Sequence, residues 1–83
     1  MKERFYFDLA DPQNPLVDEE GVCLDGLEAA TRYGQTCVRS LIADDVLEGR
    51  PVRLQTTLLI LDSARQERHR ISYRDAIEVL DGV

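Results

Sequence analysis

Arg4-Phe5-Tyr6-Phe7-Asp8-Leu9 decides the fold. Phe5, Phe7 and Leu9 alternate with Arg4, Tyr6 and Asp8, the period-two pattern of a half-buried strand made of residues that suit a pleated surface. A strand with one apolar side needs neighbouring strands and a second layer to hide that side. Asp11-Pro12-Gln13-Asn14-Pro15 ends the strand, because neither proline donates to a ladder and each restricts the residue before it. A loop to about Glu20 is expected.

Gly21-Val22-Cys23-Leu24 reads as a short second strand with Val22 and Leu24 on one face. Asp25 with Glu28 three residues on is a capping-box pattern and predicts a helix start. From there Leu27, Ala30, Gly34, Cys37, Val38, Leu41, Ile42 and Leu47 recur at spacings of three and four, one stripe on a long helix. Gly49 supplies a left-handed helix end and Pro51 forbids continuation. Gly34, inside the stripe, costs about 1 kcal/mol of helix propensity relative to alanine. Close approach of the helix to the sheet is the expected compensation.

Leu54 to Leu61 is the expected third strand, apolar on both faces: Leu54, Leu58 and Ile60 on one, Leu59 and Leu61 on the other. Asp62-Ser63-Ala64-Arg65 forms a turn, and Glu67 to Tyr73 a fourth strand with Ile71 and Tyr73 inward. Arg74 to Leu80 is expected to add a last helical turn that packs Ile77 and Leu80. The sum is an α+β fold of order ββαββ, one domain spanning residues 1–83. Placing the two most apolar strands centrally gives an antiparallel four-stranded sheet of order 2-1-3-4, with charged or short strands at the edges and one long helix on one face.

A chain of 83 residues buries only about 60% of the surface its unfolded form exposes, so outside stabilisation is worth seeking. Two cysteines, Cys23 and Cys37, are too few for a secreted disulfide framework. The first residues lead straight into the alternating strand with no apolar stretch of signal-peptide length, and a cytoplasmic location is the expectation. No run is long enough to span a membrane. A formal net charge of −6 argues against nucleic acid and anionic membranes as partners. The charges are segregated: from Asp8 to Glu28 all are acidic, whereas Arg50 to Arg74 holds six arginines against Asp62 and Glu67. Such runs either form separate solvated surfaces or complement each other.

Arg4 with the aromatics at 5 to 7 and Leu9, then Asp18, Glu20 and Gly21, Leu27-Glu28-Ala29-Ala30, Asp62, and Tyr73-Arg74-Asp75-Ala76 appear in an order that resembles a short, uncharacterised, chiefly alphaproteobacterial domain-of-unknown-function family. Its members open with Arg-aromatic-aromatic-Phe. The resemblance implies a small α+β domain and no established activity or catalytic residues. The chain departs from the family pattern in the Asp11-Pro12 loop, at Arg68 and His69, and at Arg65, where the second hairpin commonly has glycine.

No catalytic set is legible. His69 has no nucleophile or carboxylate in a motif around it. The carboxylates Asp8, Asp11, Asp18, Glu19 and Glu20 lack the glycine and glutamate offsets of a calcium loop. Neither a metal nor a cofactor is expected. The apolar residues of the sheet face opposite the helix, Leu59 and Leu61 with Tyr6 and Thr57, are the expected interaction surface. The sequence reads as a non-enzymatic interaction module that homodimerises through this face or docks it on another protein. The alternative is a small ligand- or metal-responsive regulator using the acidic loop 8–20.

Overall fold

The computed structural model describes residues 2–77. Its elements are β1 (Glu3–Ala10), β2 (Val22–Leu24), α1 (Gly26–Leu47), β3 (Thr57–Leu61), β4 (Glu67–Ser72) and α2 (Tyr73–Ala76). The strands form one antiparallel sheet of order β2-β1-β3-β4, the expected topology.

Register assigns the faces. Phe7 lies opposite Ile60 and Leu9 opposite Leu58, and these join Phe5 and Ile71 on the side that α1 covers. The helix contributes Ala30 and Val38, both without exposed surface. Gly34 makes the contact possible: a Cβ there would stand 3.1 Å from the Cδ1 atoms of Ile60 and Ile71 and 3.2 Å from Leu58 Cδ2. The cost of glycine in mid-helix is offset by burial of those three side chains against backbone.

Four details differ from expectation. Asp25 occupies the N-cap position but makes no side-chain capping bond; its ψ of 71° falls short of the extended value that aims a cap oxygen at the first turn. Glu28 pairs instead with Arg32 one turn on, at 3.1 Å. Leu47 leaves the buried stripe and is 84% exposed, because a 22-residue helix runs about 33 Å and outreaches strands of five to eight residues. The third strand starts at Thr57 rather than Leu54, since the Thr56 N–H donates to the Arg53 carbonyl and closes a turn around Leu54 and Gln55. Tyr73 opens α2 rather than ending β4, although it stays buried. Leu80, expected to pack with Ile77, lies outside the described residues.

Gly34→Leu is expected to destabilise the fold by about 1–3 kcal/mol or more, because three side-chain ends already fill the space its side chain would need. A lower urea midpoint at unchanged slope checks this.

Candidate functional site: an apolar groove walled by segment 11–18

β2 is only three residues long, so β1 has a free edge beyond Phe5, its last partner on that side being Val22. The intervening loop satisfies that edge. Leu16 exchanges both backbone hydrogen bonds with Leu9, at 2.8 and 3.1 Å. Asp18 supplies the other acceptor: one carboxylate oxygen takes the Phe7 N–H (3.1 Å), and the second takes the N–H groups of Glu20 and Gly21. Its own N–H donates to the Asp8 carboxylate at 2.9 Å. Upstream, the Asp11 carboxylate accepts from the Gln13 N–H and turns the chain before Pro15.

Arg65 locks this loop to the second hairpin. It is the only non-glycine residue with positive φ among the described residues, at 60°. The turn closes from Asp62 to Gln66, with the Asp62 carboxylate accepting from Ala64 and Gln66. A three-residue hairpin loop of this kind puts its last residue in the left-handed region, where glycine is favoured. An arginine here accepts backbone strain of about 1 kcal/mol, and its side chain makes compensating contacts. The guanidinium donates to Asp8 (2.6 Å) and to the Asp18 carbonyl (3.1 Å) and lies 4.7 Å above the Tyr6 ring.

These bonds place the expected open-face residues. Tyr6 lies opposite Leu61, and Asp8 and Arg70 lie on either side of Leu59. Leu61 is 7% exposed, Leu59, Thr57 and Tyr6 are half-buried, and Arg70 is held by a two-pronged pair with Glu67 at 2.8 Å. Tyr6, Thr57, Leu59 and Leu61 thus share one face, on which Arg65 covers the Tyr6 ring while Thr57 and Leu59 line an open hollow of about 600 Å³ beside Arg70.

A more apolar opening lies on the other side of the sheet. Segment 11–18, held at the edge of β1, stands as a wall beside α1, and between them runs a groove of about 650 Å³. Phe7, Leu9 and Leu58 form its floor, Tyr33, Cys37 and Leu41 its helix side, and Leu16, Val17 and Asp18 the wall. Leu16 is 53% exposed, Val17 65% and Tyr33 38%. The Phe7 and Tyr33 rings meet at 5.0 Å in a tilted pair. Thr36, on the rim, spends its hydroxyl on the Arg32 carbonyl. Burial pushes the Cys37 thiol above its ordinary range, eased by the Tyr33 hydroxyl and reinforced by the Asp18 charge. The Tyr33 phenol is raised first by the neighbouring thiol, then by burial and by Asp18.

Sequence reading missed the groove. Periodicity puts Phe7, Leu9, Leu58, Cys37 and Leu41 in the core and leaves Tyr33 outside the helix stripe, and only the acidic loop 8–20 that supplies the wall is singled out. Among the described residues no three His, Cys, Asp or Glu side chains converge to hold a metal ion, and no buried side-chain polar atom lacks a partner. His69, opposite Ile60, is exposed. No described helix is long and apolar enough to cross a membrane.

Fold and site define a small α+β domain with an apolar groove along one side of its helix. The chain belongs to the family described as domain of unknown function DUF6894, whose model matches residues 4–74. Comparison with curated proteins and with solved structures gives no match.

Two outcomes are expected from this geometry. Arg65→Ala lowers stability more than Arg65→Gly, by about 1 kcal/mol, because both lose the guanidinium contacts and only alanine keeps the backbone strain; paired urea titrations measure the difference. A thiol reagent at neutral pH labels exposed Cys23 first, and Cys37 only slowly, since the thiolate is the reactive form; mass spectrometry of digested protein identifies the labelled site.

Proposed function

We propose that this domain is a non-enzymatic interaction module that accepts an apolar group in the groove between α1 and segment 11–18. One observation carries the reading: Leu16, Val17 and Tyr33, three of the exposed large apolar side chains, stand around the same opening. A cluster of this kind on a soluble domain marks a binding surface. The volume lies within the range of about 300–1,000 Å³ typical of ligand sites, and the mixture of apolar walls with few polar groups fits the same class.

Homodimerisation through Tyr6, Thr57, Leu59 and Leu61 draws on less. Leu61 is buried within the chain, and Arg65 already covers the Tyr6 ring. A partner docking there would have to displace or accommodate the charges of Asp8 and Arg70 beside Leu59. The ligand-responsive alternative, which invoked loop 8–20, gains support because that loop builds the groove wall. Its metal version loses support, since Asp8, Asp11 and Asp18 are each engaged by backbone N–H groups or arginine. Asp18, Ser40 and Cys37 line the groove, but the Asp18 carboxylate is engaged by the N–H groups of Phe7, Glu20 and Gly21 and burial disfavours the Cys37 thiolate, so the groove presents no activated nucleophile.

Nile red, a neutral dye that brightens in apolar surroundings, separates the two surfaces. Fluorescence is expected to rise with the parent protein and with Leu59→Asn, and to fall severalfold with Val17→Asn, with circular dichroism confirming that each variant is folded. Loss of binding in Leu59→Asn and its survival in Val17→Asn would transfer the site to the open sheet face.

A further inference from the structure

The groove does not end in solvent at the helix C-terminus. It meets a second cleft of about 370 Å³, and Leu9, Leu16 and Leu41 line both. The waist between them is fixed, because Leu9 and Leu16 are joined by paired backbone hydrogen bonds. The second cleft is polar. Asp11, Asp44, Asp45, Arg50 and Arg53 stand around it, over the buried residues Thr56 and Tyr73.

The charges do not cancel. Arg50 is paired with Asp45 at 3.0 Å and Arg53 with Asp11 at 3.5 Å, while Asp44 makes no ion pair among the described residues. Asp44 and Asp45 sit in the last turn of α1, which contains no basic residue to offset the negative end of the helix dipole. Burial raises the pKa of the Tyr73 phenol beneath the cleft, and the charges of Asp45 and Asp11 raise it further. In the apolar groove the Asp18 charge acts in the same sense on Cys37 and Tyr33.

We propose that groove and cleft together form one amphipathic site for a small cationic amphiphile, with its aliphatic body along Leu16, Val17 and Tyr33 and its ammonium head at Asp44. This rests on the groove being a binding site and adds the chemistry of the occupant. A carboxylate or phosphate head is disfavoured on the same grounds, because the cleft's two guanidiniums are already paired and the helix end repels anions. The head stays near water, so its contribution is modest: a unit charge about 4 Å from Asp44 in a wet cleft corresponds to roughly a fivefold gain in affinity.

Isothermal titration calorimetry of the whole chain with decylammonium, decanol and decanoate, each below its aggregation threshold, tests the assignment. Decylammonium is expected to bind about fivefold tighter than decanol, with decanoate weakest. Asp44→Asn is expected to erase the advantage of decylammonium while leaving decanol unchanged, and added salt to weaken decylammonium alone. Equal affinities, or decanoate binding tightest, would overturn the cationic assignment and leave the groove in place as an apolar site. Absence of binding by all three would overturn both.

Discussion

Beyond Phe5 the edge of β1 has no strand beside it, and its amides must still be satisfied. Asp18 and Leu16 meet that demand, and the site depends on how they do so. A longer β2 would have continued the ladder and laid the chain flat against the sheet. The Asp18 carboxylate instead reaches the Phe7 N–H from the side and gathers the turn of Glu20 and Gly21 onto its other oxygen. Hydrogen bonds to a charged acceptor are each worth about 1.5–3 kcal/mol when well formed. Such an anchor holds an irregular segment in place, and a wall beside α1 is the outcome.

The groove also needs the helix to leave room. Gly34 lets α1 settle directly against Leu58, Ile60 and Ile71, the residues of β3 and β4. Because the closest approach is over that half of the sheet, the outer flank of β1 is covered less completely. Phe7 and Leu9 are accordingly only half-buried, whereas Phe5, Leu58 and Ile60 are buried. The lateral placement of one helix thus divides a single apolar sheet face into a core and a groove floor.

Much of the fold was legible because it follows from periodicity. The alternation of residues 4–9, the two-faced apolar run ending at Leu61, and the stripe through Ala30, Gly34 and Val38 fixed the elements, and the edge rule ordered the strands. Periodicity assigns a residue to a face but says nothing about where across that face the helix lies. Phe7, Leu9, Cys37 and Leu41 were therefore read as core alongside Phe5 and Val38. The cover over Tyr6 on the opposite face was hidden for a related reason: Arg65 reaches it from a hairpin distant in sequence, and no local pattern reports that. The one available signal was chemical. An arginine at a turn position that resembled a glycine site implied that its side chain had a task, and the task is the Asp8, Asp18 and Tyr6 contact.

The segregation of charge along the chain resolves in the same way. Sheet order brings the acidic segment after β1 close to the arginine-rich half: Asp8 meets Arg65, and Asp11 meets Arg53. The two runs complement each other inside one domain, and their half-buried members, Asp8 and Asp11, serve the fold. Exposed pairs of this sort contribute little singly, but Asp8 and Asp11 have side chains only 14% exposed, where attraction is screened less. The charge left after this pairing gives the surface its character. Glu19 and Glu20 remain exposed before β2, and Asp44 remains exposed in the last turn of α1, at the polar cleft that adjoins the groove. An uncompensated carboxylate beside an apolar groove favours a positive group over a negative one at that end, which is the physical basis of the proposed occupant.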